Sequence, residues 1–427
     1  MNRVMLDTKG RPIVVVTGMG LITPLGQGKQ DNWRALTGGV SGVKKITRFC
    51  TDGLPTKIAG TVDFVDIPPL SGQGLALELA TRSATEAIAQ AALGAKGSFP
   101  GPLFLATPPA ELEWTQRQML YTYDPDTEGT GYARMLAAAR TGQFQEMYGL
   151  FQYGSVSDHL ADQFGTQGQP ISLSTACASG ASAIQLGVEA IRRGETQAAL
   201  CIGTDGSVHV EALVRFSLLS ALSTQNDFPE KASRPFSKNR NGFIMSEGSA
   251  AFVFESYESA RARGAKILGV VRGCGERADN FHRTRSKPDG SANIGAIQNT
   301  LDDADISIQD IDYINAHGTS TPENDKMEYL SLRDVFGDRL KRIPISSNKS
   351  MIGHTLTAAG AIEAAFSFLT IETGVIAPTI NYDVPDPDID LDVVPNIKRE
   401  APVSMVLSDS FGFGGQNVCL VLAAEPA

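Results

Sequence analysis

The chain has 427 residues, of which 42% are hydrophobic and 20% are charged, a composition typical of soluble globular proteins. Its formal net charge of −10 argues against nucleic acid as a partner. The five cysteines lie far apart without a C-x-x-C pair, which excludes a disulfide framework and a zinc site and indicates a reducing compartment. We find no signal peptide or membrane span and expect a cytoplasmic protein.

The first part of the chain alternates strand and helix patterns. Apolar runs and helical spacing predict, in order, a buried strand entering a glycine turn at residues 12–20, a short helix at 32–36, a long helix at 75–93 and a short strand at 103–106. Residues 107–150 break this alternation. We interpret them as an excursion that covers the core, with a helix at residues 132–139.

Residues 171–194 predict a strand end, a turn of small residues and an alanine-rich helix. Arg192, Arg193 and Gly194 are typical C-terminal signals for that helix. Cys177 is therefore expected where a helix begins, and the free N–H groups and helix dipole there favour a thiolate. The alternative interpretation is a buried structural cysteine, because free cysteines are among the most buried residues.

Between the first alanine-rich helix and Lys266, the sequence predicts strands at residues 197–203 and 250–255 and a helix at 257–263. From Lys266 the alternation of strands and helices starts again, with strands at residues 267–271, 311–315, 343–346 and 404–407 and a helix at 294–304. A second alanine-rich helix lies between Gly360 and Gly374, with the same spacing as Gly180 and Gly194 in the first. This repetition predicts an α/β protein of two duplicated halves, residues 11–264 and 265–424.

Two histidines follow predicted strands. His317 comes after the strand at 311–315 and His354 after the strand at 343–346, each beside glycine and hydroxyl residues. Strand ends are where α/β proteins place their chemistry, so we group these two with Cys177. The other three, His159, His209 and His282, receive no role.

A glycine-rich stretch, FGFGG at residues 411–415, follows the last predicted strand. Glycines around a phenylalanine permit unusual backbone angles and close approach of a ligand. A phosphate-binding loop is the competing interpretation, and it is weak because the GxGxxG and Walker patterns are missing here.

One cysteine and two histidines suit two chemistries. In Cys–His hydrolysis an imidazole activates the thiol and water completes the reaction. In carbon–carbon bond formation the cysteine holds an acyl group while two imidazoles donate to an enolate oxygen. Spacing alone does not separate them, but the apolar surroundings of His354 and the lack of an obvious Asp or Asn orienter favour the second.

Five motifs carry a resemblance to a known family. They are TACASG at residues 175–180, SRPF at 233–236 with NGF at 241–243, NAHGTSTP at 315–322, KSMIGH at 349–354 and FGFGG at 411–415. With these motifs, nearly the whole chain resembles the β-ketoacyl-[acyl-carrier-protein] synthases of the thiolase-like superfamily. The resemblance is greatest to the elongating type II enzymes, 3-oxoacyl-ACP synthase II.

The resemblance implies a decarboxylating Claisen condensation of acyl-ACP with malonyl-ACP to 3-oxoacyl-ACP, in fatty-acid biosynthesis of an ordinary, specialised or very long chain. Cys177 would carry the acyl group. His317 and His354 would hydrogen-bond the malonyl thioester carbonyl. The N–H groups of Cys177 and Phe413 would form the oxyanion hole, and Phe413 would act as a gate.

The resemblance also assigns supporting roles. Lys349, held by Glu363, would supply a charge, and Thr319 and Thr321 would bind the phosphopantetheine arm. It implies the duplicated five-layer α/β/α/β/α thiolase fold, a homodimer, an acyl carrier protein as partner, and neither cofactor nor metal. The alternatives are a thiolase-type or polyketide-type condensing enzyme on a dedicated carrier protein, and a chain-length-factor-like subunit, which shares the fold without the nucleophile.

The sequence departs from the family pattern at three places. The helix at residues 71–92 has Arg82 as its one basic residue, where elongating relatives carry Lys and Arg that dock the acidic carrier protein. Ser220 replaces another such arginine. Residues 107–150 replace a glycine-rich stretch that lines the acyl pocket and the dimer contact. These departures predict an altered carrier protein or acyl chain length.

Overall fold

The computed structural model describes residues 6–66, 71–124 and 128–425, without the side chain of Leu150. The strands are β1 (Val14–Thr23), β2 (Gly26–Gln27), β3 (Lys44–Lys45), β4 (Ile58–Ala59), β5 (Leu103–Ala106), β6 (Ile171–Leu173), β7 (Ala198–Asp205), β8 (Gly248–Ser256), β9 (Gly269–Ala278), β10 (Tyr313–Asn315), β11 (Ile345–Ser346), β12 (Val375–Ile376), β13 (Arg399–Glu400), β14 (Met405–Phe411) and β15 (Gln416–Ala423). The α-helices are α1 (Lys29–Thr37), α2 (Gly72–Ala91), α3 (Trp114–Thr122), α4 (Gly131–Arg140), α5 (Gln145–Leu150), α6 (Ser155–Phe164), α7 (Ser179–Arg192), α8 (Val210–Leu218), α9 (Tyr257–Ala262), α10 (Ser291–Ala304), α11 (Pro322–Phe336), α12 (Lys349–Ile352) and α13 (Ala359–Thr373). Short 3-10 turns lie at Ala176–Ala178, Pro229–Lys231, Ile308–Asp310, Gly337–Arg342 and Leu356–Ala358.

The main sheet consists of two halves with the same strand order. The order β6-β5-β7-β8-β1 in the first half matches β11-β10-β14-β15-β9 in the second, so each half runs third, second, fourth, fifth, first in chain order. The pairing directions also match, with parallel pairs among the first three of each series and antiparallel pairs from there on. The duplication suggested by the two alanine-rich helices therefore extends to the topology of the whole sheet.

The two halves meet where β1 and β9 pair antiparallel. Val14 lies opposite Val271, Val15 opposite Val270 and Val16 opposite Gly269. The valines of this pairing are buried on both faces of the sheet, which is why each strand is apolar where the two meet. The division of the chain into units at residues 11–264 and 265–424 stays a prediction.

The helices complete five layers. α7 and α13 pack against each other between the two sheet halves, and both belong to the largest buried apolar cluster. α2 covers the outer face of the first half, while α10 packs on β9 and β15 and against α11 on the outside of the second. The predicted α/β/α/β/α thiolase-like fold is confirmed.

Two glycines let the central helices touch. A Cβ on Gly180 of α7 would lie 2.5 Å from the backbone N of Ala361, and a Cβ on Gly360 of α13 would lie 2.7 Å from that of Ala181. These glycines occupy equivalent places in the two halves. Their missing side chains thus set the distance between the beginnings of α7 and α13, where both active-site turns lie.

The described parts of the excursion, residues 107–124 and 128–150, contain helices and are anchored to the core. Glu113 accepts a hydrogen bond from the N–H of Gly72 at the start of α2, and Glu111 forms a bidentate ion pair with Arg215 of α8 at 3.0 and 2.9 Å. The sequence predicted the helix now seen as α4, but not α3 or α5. Across the described ranges, the structure contains no helix with the length and apolarity needed to cross a bilayer.

Candidate active site

Cys177 lies in the 3-10 turn that connects β6 to α7. Ala176 before it has a positive φ of 49°, and Ser179 holds the turn closed by donating to the carbonyl of Ala176 at 2.6 Å and accepting from the N–H of Thr175 at 2.8 Å. Cys177 is 8% exposed and faces a cavity of about 410 Å³. The sequence prediction of a cysteine at a helix beginning is therefore correct to within one short turn.

The thiol is not acidic in this structure. Burial raises the pKa of Cys177 to about 11, while the N–H of Phe413 and the charge of Lys349 act in the opposite direction. The sequence analysis expected a lowered pKa of this thiol from the free N–H groups and dipole at the helix beginning. The structure gives the opposite direction because the sulfur is removed from water and the carboxylates Glu363 and Asp205 also disfavour a thiolate.

His317 follows β10, as predicted, and its backbone is held firmly. The carboxylate of Glu328 accepts the N–H groups of His317 and Gly318, both at 2.7 Å. The ammonium of Lys349 lies 2.8 Å from the carbonyl oxygen of His317 and 3.3 Å from its Nδ1. An ammonium can only donate, so Nδ1 is the acceptor and the ring carries its proton on Nε2.

His354 reaches the same tautomer by another route. The backbone N–H of Leu356 donates to the Nδ1 of His354 at 3.3 Å. The backbone N–H of His354 donates to the carbonyl of Ile244 at 2.7 Å. Its Nε2 is buried and has no hydrogen-bond partner among the residues that the structure describes. This N–H is therefore a free donor inside the cavity, and a buried donor of this kind strongly favours a ligand oxygen.

The three predicted catalytic side chains come together. The sulfur of Cys177 and a ring nitrogen from each of His317 and His354 lie within 4.8 Å of one another. The two rings are edge to face, with centroids 5.4 Å apart and an interplanar angle of 85°. Burial and the nearby Lys349 charge hold the pKa of both histidines well below its usual range, so both rings are neutral N–H donors near pH 7.

Such a set of three side chains could also hold a metal ion. A neutral imidazole binds a metal through a ring nitrogen without a proton. Here the Nδ1 atoms of both rings are occupied as acceptors, and the Nε2 atoms carry the protons. The arrangement is suited to a developing oxyanion rather than to a cation.

Lys349 and Glu363 form a buried ion pair beside His317. The Lys349 ammonium donates to Glu363 Oε1, and both side chains are almost completely inaccessible to solvent. Burial raises the pKa of Glu363 to about 7, against the opposing effect of the Lys349 charge. The sequence analysis expected Glu363 to hold Lys349; the structure has them on α13 and α12, and their contact fixes the cation that sets the tautomer of His317.

The FGFGG motif forms the turn between antiparallel strands β14 and β15. Gly414 and Gly415 have φ values of 86° and 85°, and a Cβ on Gly412 would lie 3.0 Å from the carbonyl of Thr175. This close approach brings the N–H of Phe413 to the sulfur of Cys177. Because a strand and not a helix follows the turn, the phosphate-loop interpretation has no structural support.

Thr319 and Thr321 line the same cavity on the side of α11. Their hydroxyl oxygens are 2.9 Å apart, and Thr321 accepts from the N–H of Asn324 as the N-cap of that helix. The cavity thus has a polar wall, at the threonines, and an apolar wall that includes Phe216, Leu219 and Phe243.

The sequence analysis missed two parts of the site. Residues 279–286 line the cavity mouth, and they are tied to the FGFGG turn by hydrogen bonds from Asp279 N–H to the Gly415 carbonyl and from Gly414 N–H to the Arg283 carbonyl, both 2.7 Å. His282 belongs to this loop although it was given no role. Glu328 was also missed, and its one sequence signal is a glutamate in an otherwise apolar position of α11.

Comparison with known families supplies the deciding observation. Residues 11–68 and 125–260 match the family Beta-ketoacyl synthase, N-terminal domain, and residues 268–383 match Beta-ketoacyl synthase, C-terminal domain. The chain belongs to the β-ketoacyl synthase family. The resemblance identified from the five motifs is thereby confirmed.

Relatives of this β-ketoacyl synthase come from two kinds of system. The chain is 38% identical to the tetracenomycin polyketide synthase ketoacyl synthase alpha subunit of Streptomyces glaucescens, over 96% of each chain. It is 36% identical to the 3-oxoacyl-[acyl-carrier-protein] synthase 2 of Coxiella burnetii, over 96% of this chain and 98% of the relative.

Solved structures show the same architecture over almost the whole chain. One is a type II polyketide ketosynthase, AntDE, bound to a hexaketide and in complex with its acyl-carrier protein AntF, with a TM-score of 0.87 and 32% identity over 97% of this chain and 100% of that one. Another is a β-ketoacyl synthase from Burkholderia phymatum, with a TM-score of 0.82 and 30% identity over the same shares.

Proposed function

We propose that this β-ketoacyl synthase joins an acyl group held on Cys177 to a malonyl thioester, with loss of CO₂, to give a 3-oxoacyl thioester. One observation carries the proposal. The Nε2–H groups of His317 and His354 are two neutral donors that face the sulfur of Cys177 in one cavity. Two such donors suit the oxygen of a thioester enolate.

The first half of the reaction loads the enzyme. The Cys177 sulfur attacks the carbonyl carbon of the acyl thioester, and the pantetheine thiol leaves with the proton that Cys177 gives up. In this proposal the N–H groups of Cys177 and Phe413 bind the oxyanion of this step, which is supported by the Phe413 N–H reaching the Cys177 sulfur. Preorganised donors of this type contribute about 10²–10³ in rate each.

The second half forms the carbon–carbon bond. The malonyl thioester oxygen accepts from His317 and His354, the bond to the carboxylate breaks, and its electron pair forms the enolate as CO₂ leaves. The enolate carbon attacks the carbonyl carbon of the Cys177 thioester, the bond from that carbon to sulfur breaks, and the Cys177 thiolate takes a proton from solvent water. Lys349, paired with Glu363, keeps His317 in the donor tautomer, and Thr319 and Thr321 bind the pantetheine arm.

The rival chemistries fit the site less well. A Cys–His hydrolase needs a ring nitrogen that accepts the thiol proton, and here both nitrogens directed at the cavity are donors. A thiolase would use a second cysteine as base, but Cys419 is fully buried in β15 and does not line the cavity. A chain-length-factor-like subunit would lack the nucleophile that this chain has.

The carrier and the pathway are a finer part of the proposal. We propose an acyl carrier protein as the donor of both substrates, supported by the ketosynthase–carrier complex among the structural neighbours. Our first assignment is fatty-acid elongation, and polyketide extension is the second candidate, supported by the relative at 38% identity. We also propose a cytoplasmic location, which agrees with the composition and the five unpaired cysteines.

We also propose a homodimer. Strand β6 lies at the end of the sheet order, and Ile171 on it is 45% exposed. Exposed apolar side chains also occur on α3 and α4, namely Trp114, Met119 and Tyr132. A second copy paired along β6 would cover Ile171, and light scattering of the purified protein would give twice the chain mass.

The test uses simple thioesters, so that the carrier need not be known. The protein is incubated with hexanoyl-pantetheine and carboxyl-labelled malonyl-pantetheine. We expect release of labelled CO₂. Mass spectrometry should show a hexanoyl group on Cys177 before the malonyl thioester is added and 3-oxooctanoyl-pantetheine afterwards. Free hexanoate without CO₂ would overturn the proposal in favour of a hydrolase.

The same assay separates the two pathways. A single addition of two carbons supports fatty-acid elongation, whereas repeated additions to a poly-β-ketone chain support polyketide extension. The control is Cys177→Ala, which cannot hold the acyl group and is therefore expected to form no chain-extended product.

A further inference from the structure

The two halves of the fold carry equivalent active-site turns. Ala176, with φ 49°, begins the 3-10 turn before α7, and Leu356, with φ 47°, begins the 3-10 turn before α13. Cys177 is the second residue of the first turn, and Thr357 is the second residue of the other. Thr357 therefore occupies in the second half the place that the nucleophile occupies in the first.

Thr357 is not among the residues that line the cavity; its partners lie in the first half of the chain. Its N–H donates to Asp205 Oδ2 at 3.1 Å, and its hydroxyl lies 2.7 Å from both Asp205 Oδ2 and the carbonyl oxygen of Thr204. The other carboxylate oxygen of Asp205 accepts from the N–H and hydroxyl of Ser207. All four donors hold a carboxylate that is 0% exposed.

The strand that carries Asp205 also contacts both central helices. A Cβ on Gly203 of β7 would lie 2.7 Å from the Ala361 side chain, 3.3 Å from the Cα of Gly180 and 3.4 Å from that of Ala358. The end of β7 thus packs against the beginnings of α7 and α13 together. The hydrogen bonds between Asp205 and Thr357 fix the second turn on this support.

The next residue in the turn completes the connection to the site. Leu356 precedes Thr357, and its N–H is the donor that keeps the proton of His354 on Nε2. We infer that Asp205 and Thr357 are positioning residues that hold this N–H, and through it the His354 donor, in register with Cys177. The inference rests on the proposed function and adds to it residues that do not touch substrate.

The test separates the two half-reactions in the full-length protein. Thr357→Val keeps the shape and removes the hydroxyl. We expect CO₂ release from malonyl-pantetheine to slow roughly tenfold, the effect of losing about one hydrogen bond, while hexanoyl transfer to Cys177 changes by less than roughly twofold. Thr357→Ser, which retains the hydroxyl, is expected to restore CO₂ release.

The matched control is Thr300→Val. Thr300 is equally buried on α10 and also bonds backbone carbonyls, of Ala296 and Cys419, but it lies in the outer layer. If Thr357→Val acted only by weakening the structure, CO₂ release and hexanoyl transfer would slow by the same factor, as expected for any destabilising change such as Thr300→Val. That result for Thr357→Val, or an unchanged CO₂ release, would overturn the inference. If Thr357→Val does not fold, Thr357→Ala gives the same comparison.

A second readout does not depend on condensation. The nitrogen spectrum of protein labelled in histidine, with His354→Ala for assignment, reports where the proton of His354 lies. We expect the Nε2–H tautomer in the wild type and a mixture of tautomers in Thr357→Val. A wild type that releases no CO₂ would refute the proposed function, whereas an unchanged spectrum in Thr357→Val would refute the positioning role.

Discussion

His317 and His354 have the same tautomer for different reasons. For His317 the donor to Nδ1 is a side chain, the Lys349 ammonium, and for His354 it is the backbone N–H of Leu356. The first arrangement depends on a residue that can be substituted, and the second depends on how the chain turns. Substituting Lys349 should therefore change the tautomer of His317, whereas the tautomer of His354 should change only when the backbone turn at Leu356 moves.

Removing either imidazole should affect the two half-reactions unequally. We predict that His317→Ala and His354→Ala each slow CO₂ release from malonyl-pantetheine by about 10²–10³, because each removes one preorganised donor to the enolate. Hexanoyl transfer to Cys177, followed by mass spectrometry of the protein, should continue. Undiminished condensation in either variant would remove that histidine from the mechanism.

The raised pKa of Cys177 predicts a steep pH dependence of its reactivity. With a pKa of about 11, the thiolate fraction of Cys177 increases about tenfold each time the pH rises by one unit, as long as the pH stays below 11. We predict that alkylation of Cys177 by iodoacetamide accelerates continuously from pH 7 to 10. A plateau below pH 8 would show instead that the helix beginning stabilises the thiolate.

The alkylation experiment needs one background substitution. Of the five free cysteines, Cys50 is exposed and would react first, whereas Cys201, Cys274 and Cys419 are buried. The rates should therefore be measured in Cys50→Ser. Cys177→Ala in the same background should not be labelled.

At the scale of elements, the contact between α7 and α13 determines where the active-site turns lie. We predict that Gly180→Ala lowers the free energy of unfolding by about 1–3 kcal/mol, because its new methyl group would meet the Ala361 backbone rather than a movable side chain. Urea unfolding measures the change. Gly149→Ala on α5, with open space around the added methyl group, is the control and should raise the free energy of unfolding slightly, by about 0.4–1 kcal/mol.

The elements that the sequence predicted well are those with regular apolar patterns. The strand at residues 103–106 coincides with β5, and the long helix at 75–93 coincides with α2 to within a few residues. The strand predicted at residues 404–407 was too short, because β14 continues through polar residues to Phe411. α3 and α5 were missed, since exposed helices without an apolar face carry no periodic signal.

The same reasoning explains which site residues were predicted. Cys177, His317 and His354 could be selected from the sequence because each follows a strand and stands among small or hydroxyl residues. Asp205 and Thr357 could not, since their pairing joins β7 to a turn far along the chain. The raised pKa of the thiol also depends on burial, which only the folded structure reveals.

At the scale of the whole molecule, the second half of the fold contains buried carboxyl groups, among them Glu328 on α11 and Asp409 on β14. Burial raises the pKa of Glu328 to about 8 and that of Asp409 to about 7, and each also lies near further acidic groups. In the unfolded chain both would ionise near pH 4. The folded state therefore binds more protons than the unfolded state between pH 4 and about 8.

This difference predicts how stability changes with pH. Groups whose pKa is raised on folding stabilise the protein at low pH and lose that contribution as the pH rises through the folded value. We predict that the free energy of unfolding falls between pH 6.5 and 8, on the order of 1 kcal/mol per pH unit. Urea titrations at several pH values measure it, and Asp409→Asn should flatten the dependence.

The seam between β1 and β9 has a consequence for ancestry. One half contributes the sulfur and the other contributes both imidazoles, and each is supported from across the boundary. A single ancestral half could have had this chemistry only by associating with another copy of itself along that strand edge. Gene fusion would then have freed the two copies to diverge, one keeping a reactive side chain at the turn and the other a threonine.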